Sequence, residues 1–205
     1  MVNSRDNPYW PTSLPFQLTI PGTSVAYNLE VSAARFAAKP CLFFYGTSIT
    51  YAQLHSEVDR LAGWLQQHGV RKGDRVIVNL QNCPQFIIAY YAILRADAIV
   101  VPVNPMNRTQ EFEHILRDCG AQLVITAQDT WEVVDSVPKD SLRRVLLVTY
   151  SDYLDRASSD CAPDFIRQPR RELKDARVTS WADALAGNFQ PTAAVAGPTD
   201  HSVIV

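Results

Sequence analysis

Four cysteines, Cys41, Cys83, Cys119 and Cys161, stand at nearly even intervals in the chain. Thiols in that number could form two disulfides or ligate a metal. Zinc sites, however, usually collect their ligands in local pairs such as C-x-x-C. No such pair occurs, and no histidine lies within a few residues of any cysteine. The spacing is read as buried, reduced thiols in a cytosolic protein. The histidines, His55, His68, His114 and His201, are scattered. There is no H-E-x-x-H, and the first three fall in predicted helices, where surface and helix-end roles are commoner than catalysis.

Phosphate chemistry would need a glycine-rich cradle. Neither G-x-G-x-x-G nor G-x-x-x-x-G-K occurs, and there are only eight glycines in 205 residues, well below the usual ~7%. The G-x-S-x-G nucleophile elbow is also absent. A phospho-acceptor domain would need carboxylates clustered at its strand ends. Those ends read Leu80-Gln81-Asn82, Val103-Asn104-Pro105 and Thr126-Ala127-Gln128, with only Asp129 nearby. Residue types and spacing therefore assign no catalytic residue, no cofactor-binding residue and no metal ligand within this chain.

Composition narrows the class. A net charge of −2 lacks the basic surplus of a nucleic-acid binder, and 47% hydrophobic residues exclude a wholly disordered chain. Residues 76–94 carry no charge, but Asn79, Gln81, Asn82, Pro84 and Gln85 interrupt them. The continuous apolar run, Phe86 to Leu94, falls far short of the ~20 residues of a membrane span. The start of the chain lacks the apolar core of a signal peptide. The expectation is a soluble, cytoplasmic protein with no transmembrane segment and no nucleic-acid partner.

Hydrophobic periodicity supplies the elements. Residues 1–40 are read as an irregular N-terminal extension, broken by Pro8, Pro11, Pro15 and Pro21, in which Leu29–Ala38 suits a short helix. Cys41–Tyr45 and Ser48–Tyr51 pair as a hairpin about a Gly46-Thr47 turn. A helix follows, capped by Thr50 with Gln53, with Leu54, Val58, Leu61 and Leu65 on its buried face and Gly69 as its stop. Strands are then expected over Arg75–Leu80, Ile99–Val103, Gln122–Thr126 and Val145–Tyr150, starting about every 23 residues. Helices fall between them: Asn82–Arg95 with an Asn82/Gln85 cap, Thr109–Cys119 closed by Gly120, and Asp129–Ser136 with an Asp129/Glu132 cap. Ser151–Thr199 reads as a solvated surface loop, its Arg167, Arg170, Arg171, Lys174 and Arg177 interleaved with Glu172 and Asp175. Only Ser180–Ala186 looks helical there, and His201–Val205 has a strand pattern. Near-continuous apolar strands imply burial on both faces. The fold class is α/β: an open, mostly parallel, doubly wound sheet with helices on both faces, plus a small N-terminal β-hairpin.

Three segments carry a family resemblance. The first is Ile49-Thr50-Tyr51-Ala52-Gln53-Leu54 with Leu61-Ala62 and Gly69-Val70-Arg71-Lys72-Gly73-Asp74-Arg75-Val76. The second is Asn82-Cys83-Pro84-Gln85-Phe86 with the stretch from Leu94 to Pro105. The third is Glu111-Phe112 with Asp118-Cys119-Gly120-Ala121. The tail adds Ser180–Leu185 and Asp200–Ile204. Together they resemble the AMP-forming acyl-CoA synthetases of the adenylate-forming superfamily, in particular long-chain fatty-acid–CoA ligases. In that resemblance Asp97 stands where the family has glycine, between a helix and a strand. Asp is among the few residues that visit the left-handed region, so a positive φ is expected at Asp97.

The resemblance implies that residues 41–205 are the N-terminal portion of the adenylate-forming large domain, a truncated part of it. The phosphate loop, the rest of that domain and the small C-terminal domain would lie beyond Val205. The full-length parent would use ATP, Mg²⁺ and CoA to activate a carboxylic acid, a fatty acid by preference, and transfer it to the thiol. The fragment itself is expected to bind none of these and to be inactive. Its matching residues are scaffold, with Thr50 capping a helix, Gly73-Asp74 turning into a strand and Pro102 and Asn104-Pro105 ending one. The alternative is a non-enzymatic α/β module for ligand or protein binding. The hairpin and the terminal strand would expose edges, and self-association through them is expected.

Overall fold

A computed structural model of the chain describes residues 9–11, 13–15, 19–155 and 161–205. The first helix, α1 (Tyr27–Phe36), buries Leu29. Strands β1 (Pro40–Phe44) and β2 (Thr47–Thr50) form the expected antiparallel hairpin. Its turn differs from the expected Gly46-Thr47. Phe44 pairs with Thr47, so the loop residues are Tyr45 and Gly46, with φ of 39° and 86°. Two positive values match the right-handed twist of the flanking strands, and glycine takes the second place rather than the first.

Helix α2 (Tyr51–Gln67) starts at the expected capping box: Gln53 N donates to Thr50 Oγ1 and Thr50 N to Gln53 Oε1. Five strands then alternate with helices: β3 (Arg75–Asn79), α3 (Pro84–Arg95), β4 (Ile99–Pro102), α4 (Thr109–Cys119), β5 (Leu123–Ala127), α5 (Trp131–Asp135), β6 (Arg144–Val148), α6 (Asp164–Arg167), β7 (Val178–Ser180) and α7 (Trp181–Ala186). A 3₁₀ turn, Tyr150–Tyr153, follows β6. The strands lie in the order β4-β3-β5-β6-β7, all parallel.

Alternation along the strands creates two cores. Val76 and Val78 of β3 join Leu61, Leu65, Ile88, Ala92 and Trp181 from α2, α3 and α7. Ile77, between them, joins Phe112, Leu116, Trp131 and Val134 from α4 and α5. Helices therefore cover both faces, which is the doubly wound arrangement expected from the apolar runs. Each fully buried aliphatic or aromatic side chain contributes roughly 1.5–3 kcal/mol, so neither core is dispensable.

Two caps differ from expectation. Helix α3 has Cys83 at its N-cap with no side-chain cap and Pro84 in its first turn. Gln85 does not reach back to the chain at Asn82, because its amide donates instead to the Thr149 carbonyl, 2.9 Å away. Helix α5 begins at Trp131, not Asp129, again without a side-chain cap. The hydroxyl of its N-cap, Thr130, bonds Ala127 O and the Thr126 hydroxyl.

The region expected to be a loop is more ordered than its polarity suggests. It holds α6, β7 and α7, the last capped as expected by Ser180 Oγ accepting from Asp183 N. Beyond α7 the chain is strapped across α2 and α3. Thr192 N donates to Gln66 Oε1, and Arg95 donates to Thr192 O at 2.7 Å. Gly63 lets this crossing occur, since a Cβ there would come within 2.8 Å of the backbone of Phe189 and Gln190. The terminal segment, expected as a strand, makes only an isolated parallel bridge, Val203 with Val100, at the β4 edge of the sheet. Val100 N donates to Ser202 O, and Ile204 N donates to Val100 O, alongside β4.

Asp97 has φ 60°, as the missing glycine implied. The same residue binds the strap, its carboxylate accepting from Val195 N and Ala196 N at 2.8–3.1 Å. Glycine would relieve the backbone but lose these bonds. In urea unfolding, Asp97→Asn is expected to stay near wild type. Asp97→Ala, which keeps the strain and loses the acceptor, should lose about 1–3 kcal/mol. An alanine variant as stable as wild type would show that neither the φ nor the strap contributes.

Candidate functional site

From β3 the chain moves outward to β4, then returns to place β5 on the other side of β3. Helices α3 and α4 consequently depart toward opposite faces. In open parallel sheets that reversal leaves a crevice at the carboxyl ends of the strands. Here that topological position falls between Asn79-Leu80-Gln81 at the end of β3 and Ala127-Gln128-Asp129 at the end of β5.

The buried polar side chains gather at this edge. Asn79, Gln85, Thr126, Gln128 and Thr149 are all at most 5% exposed. Asn79 Nδ2 donates to Thr126 Oγ1, which shares a bond with Thr130 Oγ1. Gln85 Nε2 donates to Thr149 O, and Thr149 Oγ1 to Gln128 Oε1 at 3.0 Å. Gln128 extends the connection outward: its Nε2 donates to Pro169 O, and its Oε1 accepts from Arg171 N. The loops after β3, β5 and β6 and the stretch 168–171 are thereby tied together. Asn79 Oδ1 and Gln85 Oε1 have no partner among the described residues. Each such buried acceptor costs on the order of 1–3 kcal/mol.

The titratable groups nearby are shifted against ionisation. Burial pushes the Cys83 thiol up to about 12, with the Asp129 charge adding to the effect. Burial also raises the Asp129 carboxyl. The Tyr150 hydroxyl, which accepts from Gln81 N at 3.0 Å, is raised by burial as well. A thiol so placed supplies no thiolate at neutral pH. The crevice contains no histidine to serve as a base. Its unpartnered buried side-chain atoms, Asn79 Oδ1 and Gln85 Oε1, are acceptors, whereas the phosphates of ATP need N–H or cationic donors. Among the described residues no group of three or more His, Cys, Asp or Glu could hold a metal. The unpartnered buried side-chain atoms at this edge offer no donor to a triphosphate, and no carboxylate cluster among the described residues offers ligands to Mg²⁺. What the arrangement can do is hold rigid loops around a crevice.

The other residues singled out by type are dispersed. All four cysteines are free; Cys83 is buried, but Cys161 is exposed, contrary to the expectation of buried thiols. The neighbouring Ala162 turns into the core instead. His68 stacks on Trp64 with ring centroids 4.2 Å apart, and His55 lies 3.5 Å from Asp59. The interleaved charges of 167–177 form ion pairs, Arg170 with Asp152 and Arg177 with Asp175 and Asp135. The sequence reading placed Gln85 in a cap and Gln128 at a strand end, and missed their part in the polar network. Their signal was a polar residue closing each apolar run, at Asn79, Thr126 and Thr149.

Replacing Gln128 by Ala removes three side-chain hydrogen bonds, so a loss of about 2–3 kcal/mol is expected. Amide exchange at Arg171 should accelerate along with it. Unchanged exchange there would mean that the stretch is held by other contacts.

Residues 29–194 match the family model described as AMP-binding enzyme. The long-chain-fatty-acid–CoA ligase of Bacillus subtilis (strain 168) is 36% identical over 146 residues, 71% of this chain and 26% of the relative. A solved anthranilate CoA ligase superposes with a TM-score of 0.73 at 20% identity, over 91% of this chain and 32% of its own. A long-chain-fatty-acid–CoA ligase from Archaeoglobus fulgidus superposes with a TM-score of 0.66 at 21% identity, over 91% of this chain and 34% of its own. The chain thus spans about a quarter of the Bacillus relative and about a third of the solved structures. With residues 29–194 matched by the family model, the chain belongs to the AMP-binding enzyme family.

Proposed function

We propose that the whole protein is an AMP-forming acid–thiol ligase acting on a fatty acid. The observation that carries this reading is the 36% identity to a long-chain-fatty-acid–CoA ligase, within a family match over residues 29–194. In the first step the carboxylate oxygen attacks the α-phosphorus of ATP, forming an acyl-adenylate and expelling pyrophosphate. In the second the thiol of CoA attacks the acyl carbon, a thioester forms and AMP leaves. Mg²⁺ would neutralise phosphate charge during the first step.

Residues 41–205 are the N-terminal portion of the large domain in this reading, and α1 packs onto it through Ala26 and Leu29. Their part is structural. They supply a two-faced sheet and a crevice of fixed loops against which the reacting groups can be assembled. The lack of free side-chain donors or cations among the described residues at the carboxyl edge supports placing the charged phosphate-binding groups elsewhere in the protein. No helix of the described residues is long and apolar enough to cross a membrane. The proposal places the protein in the cytoplasm, where ATP and CoA are at hand.

The test is acid-dependent ATP–pyrophosphate exchange by the whole protein, run against palmitate, octanoate, benzoate and anthranilate. Exchange driven by the fatty acids and not by the aromatic acids is expected. Preference for benzoate or anthranilate would overturn the substrate class. Residues 1–205 alone should give background exchange, and activity above it would overturn their structural role.

A further inference from the structure

A second concavity opens at the opposite, amino edge of the sheet. It has a volume of about 500 Å³ and is lined by, among others, His68, Arg75, Gly120, Arg143, Arg144 and Arg177. That volume lies within the ~300–1,000 Å³ of small-molecule sites. Strand register explains why so many arginines meet. Val76 pairs with Leu123, Leu123 with Arg144, and Val145 with Val178. Arg75, Gln122 and Arg143 therefore fall in one row across β3, β5 and β6. Arg144 and Arg177 fall in the next, with neighbouring strands ~4.8 Å apart.

These arginines are not equally engaged. Arg75 is committed to the end of α4, its Nε donating to Cys119 O at 2.6 Å. There it offsets the negative end of the helix. Arg177 donates through Nη2 to Asp175 at 2.7 Å and Asp135 at 3.0 Å. Its Nη1 is buried with no acceptor among the described residues. The neighbouring Asp175 carboxyl is held down at about 2 by Arg177, so this pair stays ionised. The side chains of Arg143 and Arg144 have no hydrogen bond or ion pair among the described residues. Against the four arginines the lining offers one carboxylate, Asp74, whose Oδ2 is occupied by Arg71 N. Uncommitted guanidinium groups, an orphaned buried N–H and a cavity of ligand size all call for an anion. The planar fork of arginine suits phosphate oxygens in particular.

We propose that this groove binds a small oligophosphate anion, inorganic pyrophosphate or the phosphate tail of a nucleotide, held by Arg143 and Arg144 with Arg177 Nη1 as a further donor. The site is separate from the acid activation proposed above and stands or falls without it.

The experiment is isothermal titration of the 205-residue chain at low ionic strength with pyrophosphate, ADP and sulfate. Saturable binding of pyrophosphate or ADP with one ligand per chain is expected, with sulfate weaker. Tighter binding of ADP would identify a nucleotide tail, and equal binding the inorganic anion. Arg143→Ala/Arg144→Ala should weaken binding at least ~10-fold. Arg35→Ala/Lys39→Ala removes the same charge near the far end of α2 and should change it less than about 2-fold. Arg143→Lys/Arg144→Lys keeps the charge while losing the fork, and should fall between wild type and the alanine pair. That variant decides the matter if the alanine pair fails to fold. No saturable binding, or equal weakening by the two alanine pairs, would overturn the site.

Discussion

Burial of β3 and β5 on both faces is the constraint from which the rest of the structure follows. Val76 and Val78 face one core and Ile77 the other; Ile125 and Val124 divide in the same way. A strand apolar on both sides cannot sit at a wetted surface, so helices must be supplied above and below. Parallel strands cannot be joined by tight turns, and the crossovers provide those helices. The amphipathic α4 takes the face opposite the almost wholly apolar α3, and the chain reverses direction between their strands. The crevice at the carboxyl ends is a consequence of that reversal rather than an independent feature.

The polar network is the second consequence. Where β3, β5 and β6 end, the backbone leaves its ladder while still inside the protein. Asn79, Thr126 and Thr149 provide local partners at those points, and Gln85 and Gln128 reach across from neighbouring segments. In so dry a setting a hydrogen bond is stronger and an unmade one costlier. These bonds tie the loops to one another across the ends of three strands. The same burial raises the Cys83 thiol and the Asp129 carboxyl, and the thiol supplies no thiolate nucleophile at neutral pH.

Elements set by hydrophobic period were legible in the sequence. Thr109–Cys119 has the bounds its apolar stripe and Gly120 imply, and the Thr50/Gln53 box closes as read. Asp97 was legible through a departure from family pattern, because a single backbone angle restricts the residues that can occupy it. Elements set by tertiary partners were not legible. Gln85 looks like a capping residue until the Thr149 carbonyl is seen beside it. β7 is only three residues long, and nothing local distinguishes Val178–Ser180 from the loop before it. It is a strand because β6 offers an open edge. The strap over α2 and α3 is fixed by Asp97, Gln66 and Arg95, whose partners lie about a hundred residues away in the chain.

The two edges of the sheet differ for one electrostatic reason. Strand-to-helix connections leave the carboxyl edge, so helix N-termini with their unpaired N–H groups collect there. Helix C-termini with their unpaired carbonyls collect at the amino edge. Side chains of opposite character complement each. The carboxyl edge carries the acceptors Asn79 Oδ1, Gln85 Oε1 and the Asp129 carboxyl. The amino edge carries arginines, and Arg75 shows the direct form of the match on the last carbonyls of α4. Complementation of a helix end needs only one cation, however, and Arg75 already provides it. Arg143 and Arg144 lie in the same rows, and their side chains engage no carbonyl or carboxylate among the described residues. Helix termini therefore account for part of the positive charge at this edge, and the remainder is left over for a ligand.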